Sequence, residues 1–170
     1  GLMMNKSSQE NRVETISEQL SLFALDLKLE QIPISVCAQA KLHMLDAIGI
    51  GIASSHYDFA KNILHALMSL QESNDQHYQV LGVPNKLSMR DAILVNGTYI
   101  HGLDFDDTHA AGVIHASSSA MAALLSVGQR YNINGQDGLV AYLVAIEVAS
   151  RIASAANGGF HEKGFHPTGL

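Results

Sequence analysis

The sequence predicts an all-α protein, a bundle of packed helices, on three observations. Apolar residues recur at steps of three and four along most of the chain. A single short stretch, residues 77–81, reads as extended. Ala, Gly and Ser crowd the later helical segments, which favours close helix-on-helix contact in a layered helical core.

The elements follow in order. Residues 1–11 are polar and read as a frayed or disordered N-terminus. Val13, Ile16, Leu20, Phe23 and Leu27 then repeat at helical spacing, so a first amphipathic helix is expected to about Leu27. Pro33 breaks the chain, and Ser35 is the candidate cap of a long helix through Cys37, Ala40, Leu42, Leu45, Ile48 and Ile52. Gly49 and Gly51 lower helix propensity near its end and point to a close approach by another element. Asp58 is the candidate cap of a third helix carrying Phe59, Ile63, Leu67 and Leu70. A polar stretch, 71–76, precedes the extended piece, which Gly82 and Pro84 close. Ser88 followed by Asp91 resembles a capping box and opens a helix through Ala92, Val95 and Ile100. Residues 104–117 have no clean period and read as a loop. A small-residue helix follows from Ser118 to Tyr131, a turn at Asn134-Gly135, and an Ala-rich helix from about Asp137 to Ala156. Gly158 and Gly159 end it and leave a His-containing tail.

The totals narrow the function. Of 170 residues, 47% are apolar and only 15% charged, so the chain buries most of its helices or hides apolar surface against a partner. A net charge of −6 with no basic stripe argues against nucleic acid and anionic membrane as partners. One cysteine, Cys37, leaves no internal disulfide and fits a reducing, cytoplasmic compartment; it reads as a core residue. Residues 139–156 approach the length that spans a bilayer, but Glu147 and Arg151 in mid-segment would be costly in lipid. The expectation is a buried helix, with those two side chains as a structural pair four residues apart.

The densest chemistry lies at His101-Gly-Leu-Asp104-Phe-Asp106-Asp107-Thr108-His109, with His115 six residues on. Were the helix to continue, Gly97, His101, Asp104 and Thr108 would share a face. The tail adds His161 and His166. Three readings fit these residue types. Asp and Thr cap helices and shape turns, so the run could be a solvated loop. Asp and His also ligate metals, although no familiar ligand spacing is present. Taken as a cluster, the run best fits general acid–base chemistry: histidine titrates near neutrality and moves protons either way, while a carboxylate orients it or binds a substrate hydroxyl. His43, His56 and His65 sit in or beside helical patterns and read as packing or surface residues.

Two blocks carry a family resemblance. Val95-Asn96-Gly97-Thr98-Tyr99-Ile100-His101-Gly102-Leu103-Asp104-Phe105-Asp106-Asp107-Thr108 and Gly164-Phe165-His166-Pro167-Thr168-Gly169 are similar to the signatures of the MmgE/PrpD family. That family includes 2-methylcitrate dehydratase, cis-aconitate decarboxylase and an iminodisuccinate epimerase. The resemblance implies a large all-helical domain followed by a smaller α/β lid. On it, residues 12–170 form the front of the helical domain, with the lid absent. It further implies homodimers, lyase chemistry on small di- and tricarboxylates as in propionate catabolism, and no metal or organic cofactor; apolar helix faces left without partners add the expectation of a dimer or higher oligomer. By position Asp104, Thr108, His115 and His166 match active-site residues; His101, Asp107 and His109, from the same run, are the candidates for holding substrate. Ala116 departs from the family, where proline commonly follows the histidine.

Charge sets a difficulty for that reading. A polycarboxylate needs cations where negative charge builds, yet no Lys or Arg lies between Arg90 and Arg130. Only Arg151 and Lys163 follow. The expectation is that this polypeptide alone lacks dehydratase and decarboxylase activity. Two other classes compete: a non-catalytic remnant or helical binding module that keeps the fold, and a metal-dependent hydrolase.

Overall fold

The computed structural model describes residues 14–71 and 76–169. Residues 1–11, Val13 and most of the polar stretch after Leu70 were assigned above and lie outside them. The architecture is helical: α1 (Ile16–Asp26), α2 (Ile34–Ser54), α3 (Asp58–Ser69), α4 (Met89–His101), α5 (Ala116–Tyr131), α6 (Gly135–Ala155) and the single turn α7 (Gly159–Glu162). Two 3₁₀ turns, Leu29–Gln31 and Pro167–Gly169, complete the helical segments.

Local chemistry sets the ends. Thr15 opens α1 with a reciprocal box: its hydroxyl accepts from Glu18 N, and Glu18 returns a carboxylate to Thr15 N at 2.8 Å. Pro33, not Ser35, caps α2. Its carbonyl accepts from Val36 N and Cys37 N, and its ring holds φ at −55°, so Ser35 falls inside the first turn. Asp58 likewise is the first residue of α3, behind Tyr57 at the cap. There its charge favours the helix N-terminus and faces Lys61 at 3.9 Å. Ser88 caps α4 by accepting from Asp91 N. The short Asp91 side chain does not complete the box but pairs with Arg90 at 2.8 Å, and that hydrogen bond holds its carboxyl below the usual aspartate range.

The extended piece is one strand of a two-residue hairpin, β1 (Tyr78–Gln79) against β2 (Lys86–Leu87), with Tyr78 opposite Leu87. The second strand is too short to leave a period in the sequence. Gly82 turns the hairpin at φ +73° beside Ser55. Asn96, fully buried in α4, donates to Gln79 O and accepts from Leu81 N, which locks the hairpin to the helix.

α4 is the central helix. One face packs with α3 and the hairpin through Ala60, Leu64, Leu87, Val95 and Tyr99. Its other face joins α2, α5 and α6 through Ala47, Ile100, Met121, Leu139 and Tyr142. Tyr99 is wholly buried and donates its hydroxyl to Ala60 O at 3.2 Å. The two α2 glycines differ: a Cβ at Gly51 would meet Leu81 at 2.5 Å and Ile100 at 3.2 Å, whereas at Gly49 it would meet open space.

The buried-helix expectation for α6 needs correction. It buries Gly138, Leu139, Tyr142, Ser150 and Ala153, while most of its other apolar residues, Leu143 and Ile146 among them, are only half-buried. Glu147 and Arg151 form an exposed pair on it, with Nε to Oε1 at 2.7 Å. The neighbours available, chiefly α5 and α2, cover one stripe of a helix that is apolar nearly all round. Both α2 and α6 are long and apolar enough to cross a membrane. Buried contacts such as the Ser117–Tyr142 hydroxyl pair, 2.5 Å apart, use part of α6 inside the protein. On α2, Ile34, Leu42 and Leu45 stand exposed.

Candidate active site

α4 does not continue through the polar run. It ends at His101 with Gly102 at its C-cap, where a Cβ would collide with the Phe59 ring and with the Thr98 carbonyl. The shared helix face expected for Asp104 and Thr108 therefore does not exist. The loop 102–115 brings them round instead. Asp104 takes φ +56°, a left-handed conformation that aspartate tolerates; Val113 takes φ +50°, which a β-branched side chain resists. Holding Val113 there is a two-way backbone bridge between His109 and Ile114, at 2.9 and 3.4 Å. Gly112 packs so near α6 that a Cβ would stand 2.8 Å from that of Ala153. The loop is pinned at both ends.

What the loop assembles is a cluster around Asp106, whose side chain is 0% exposed. His101 Nδ1 lies 3.1 Å from each Asp106 oxygen. His115 Nδ1 lies 3.4 Å from Asp106 Oδ1, 3.4 Å from the Asp106 carbonyl and 3.3 Å from Thr108 Oγ1. The other nitrogen, His115 Nε2, is 3.4 Å from Asp104 Oδ1. Asp104 is 77% exposed and His115 only 13%, so Asp104 stands at the rim and His115 is set below it. The two imidazoles are 4.8 Å apart between ring centres.

The tail closes one side. Thr168 accepts from His115 N at 3.0 Å, which ties the 3₁₀ turn after His166 to the start of α5. The His166 ring lies 5.6 Å from His101 and 6.0 Å from His115, with His161 a further 6.0 Å from His166. Ser118 donates to the His115 carbonyl at 2.8 Å. Beside the cluster opens a cleft of about 720 Å³, lined by His101, His166, Thr168, Leu94, Gly97 and Ala122 among others. That is within the usual range for a small-molecule site. Gly97 also lies against α5, where a Cβ would find Ala122 at 3.7 Å.

Of the residues singled out in the sequence, the structure brings together His101, Asp104, Thr108, His115 and His166. It does not bring His109 or Asp107 with them. His109 spends its Nδ1 accepting from Gly112 N at 3.1 Å, so it shapes the turn. Asp107 turns inward, with Oδ1 buried and no hydrogen-bond partner among the described residues. The Tyr142 phenol is pushed up chiefly by burial, with the Asp107 charge adding to it and the Ser117 hydrogen bond opposing. Two residues that the sequence did not single out belong here: Asp106, at the centre, and Thr168. No signal within Asp104-Phe-Asp106-Asp107 ranks one aspartate over another, because burial is decided by the loop's path.

Four donors, on His101, Asp104, Asp106 and His115, offer atoms all within 4.8 Å of one another and could hold a metal ion. The mix of two imidazoles and two carboxylates suits zinc and other first-row metals. Among the described residues no Lys or Arg forms an ion pair with the cluster, and Arg151 is engaged by Glu147. The cluster is therefore rich in proton acceptors and poor in fixed positive charge.

Comparison with known proteins adds an independent line. The profile of the MmgE/PrpD N-terminal domain matches residues 18–170. A cis-aconitate decarboxylase-like protein, oryM, of Aspergillus oryzae is 28% identical over 159 residues, covering 89% of this chain and 33% of that protein. Cis-aconitate decarboxylase of Aspergillus terreus is 25% identical over 161 residues, covering 92% and 32%. The Homo sapiens cis-aconitate decarboxylase is 28% identical over 164 residues, covering 91% and 33%. The chain thus spans about a third of the length of these relatives.

Proposed function

Because the chain belongs to the MmgE/PrpD family, we propose that it supplies the imidazole–carboxylate half of a lyase site. That site moves a proton next to a carboxylate of a small di- or tricarboxylic acid. His115 is the proton carrier. Its Nδ1 is engaged by Asp106 and Thr108, its Nε2 faces Asp104 at the rim, and its side chain is mostly sheltered. This arrangement is the observation that carries the reading, since a sheltered imidazole with one nitrogen anchored and the other turned outward is placed for acid–base work. Asp104 and Thr108 orient that ring or hold substrate. His101 and His166 line the cleft, where an imidazolium would meet a substrate carboxylate.

The curated relatives make decarboxylation of a cis-aconitate-like acid the first chemistry to try. There the bond to the carboxyl carbon breaks, carbon dioxide leaves, and the electron pair stays on carbon. His115 as imidazolium delivers the proton that replaces it. In the dehydration alternative, with 2-methylcitrate, the neutral ring would take the α-proton and the hydroxyl would leave as water after receiving a proton. Both build negative charge that the cluster's carboxylates oppose. The 170-residue chain by itself is accordingly inactive on either acid, its cationic complement lying elsewhere in the working enzyme. Turnover assays of the purified chain with cis-aconitate and with 2-methylcitrate test this. No product from either is expected, and efficient conversion would refute the missing-cation account.

A second reading has its own observation, the four clustered donors. As a metal centre they would polarise a bound water for hydrolysis.

A further inference from the structure

We infer that Asp106 is a positioning residue that fixes both site histidines in the Nδ1–H tautomer, so that both Nε2 atoms keep the lone pairs that take up protons. The inference rests on the acid–base reading of the site and assigns its work to a residue that never meets substrate.

At His101 the geometry allows little else. At His115 the Nε2 also faces an acceptor, Asp104 Oδ1 at 3.4 Å, but that carboxylate is exposed and hydrated, whereas Asp106 is wholly buried and needs the donor. As a carboxylate, Asp106 accepts hydrogen bonds and donates none. His101 Nδ1 is 3.1 Å from both of its oxygens, so the hydrogen shared there belongs to the imidazole. His115 Nδ1 faces Asp106 Oδ1 and the Asp106 carbonyl, two acceptors that cannot donate to it. The remaining neighbour, Thr108 Oγ1, donates to that same carbonyl at 3.5 Å and so has lone pairs to offer His115. Every contact on the inner side of each ring is thus met by an N–H on Nδ1. One hydrogen per neutral ring then leaves Nε2 bare.

Burial makes the arrangement strong. The Asp106 side chain has no exposed surface, so no water competes for its oxygens. A buried carboxylate without donors would be costly, and the two imidazole N–H groups are the donors the structure gives it. The arrangement has the logic of a carboxylate that orients a catalytic histidine without itself taking up the proton.

The test reads the tautomers directly. Nitrogen-15 NMR of the histidine-labelled chain, with His101→Gln and His115→Gln used for assignment, distinguishes a protonated from a bare ring nitrogen. At a pH where the rings are neutral, both are expected to show a protonated Nδ1 and a bare Nε2. In Asp106→Asn, which keeps the shape but can donate from its amide, at least His101 is expected to move toward the Nε2–H form. An Nε2–H tautomer at either ring in the unsubstituted protein would overturn the inference. So would unchanged tautomers in a folded Asp106→Asn protein. Should that variant fail to fold, the spectrum of the unsubstituted protein decides alone. In a catalytically active polypeptide containing this chain, Asp106→Asn is expected to lower kcat at least about tenfold with KM little moved. Tautomers as expected, together with normal turnover by a His115→Ala protein, would leave the positioning intact and reject the proposed function instead.

Discussion

Replacing His115 with Ala in an active polypeptide that contains this chain is expected to lower kcat by about 10²–10⁴-fold, the range for loss of a positioned general acid or base. The expectation comes from where the ring sits. His115 is the residue just before α5, held on its backbone by Thr168 and Ser118 and on its ring by Asp106 and Thr108. Alanine removes the proposed proton carrier and leaves those anchors in place, so binding should suffer less than turnover. KM should therefore change much less than kcat. Turnover within about threefold of normal would contradict the role. A comparable fall in kcat and a large rise in KM would instead point to a substrate-holding histidine.

The second large effect is on stability. Tyr99→Ala is expected to cost about 3–5 kcal/mol, as for other large aromatic truncations in a packed core. Tyr99 is fully buried between α3 and the hairpin, and its hydroxyl donates to the Ala60 carbonyl. Removing it leaves a cavity and deletes the side-chain hydrogen bond to a carbonyl that α3 already engages in its own backbone ladder. Against the ~5–15 kcal/mol of a typical domain, this is a large share, and the melting temperature should fall by roughly 6–20 °C. Tyr99→Phe, which keeps the ring, should cost only about 0.5–1.5 kcal/mol. Denaturation of the three proteins by urea reads both numbers. Equal losses for Phe and Ala would show that the hydrogen bond, not the ring's packing, dominates. The site would feel the change too, because Tyr99 lies two residues before His101 on the same helix.

The helices were readable because their apolar stripes repeat, as in α3 with Phe59, Ile63 and Leu67, and because Thr or Ser caps such as Ser88 act locally. The caps of α2 and α3 shifted by one or two residues, since Pro33 and Tyr57 do the capping with backbone alone. The second hairpin strand, two residues long, leaves no pattern at all. At the site, the cluster's membership was largely visible in the density of His and Asp and in the family signatures. Its centre was not. Whether Asp104, Asp106 or Asp107 turns inward depends on the left-handed step at Asp104 and the pinned Val113. Both are decided by loop packing between α4 and α6. The same applies to His109, whose ring goes to a turn amide only because the bridge to Ile114 sets it there.

Whether Nε2 is ligated separates the two chemistries open to the cluster. Two imidazoles and two carboxylates within 4.8 Å suit a divalent ion as well as a shared proton. Imidazole-borne proton transfer requires Nε2 to stay unligated, whereas a metal would occupy one or more of these nitrogens. On the proposed reading protons on histidine do the work, and no metal is needed. This is tested by the turnover of a catalytically active polypeptide containing this chain, measured with cis-aconitate after exhaustive removal of metals by chelation. The rate is expected to be unchanged by stripping and unchanged when a stoichiometric divalent ion is added back. Activity lost on stripping and restored by a stoichiometric divalent ion would contradict it.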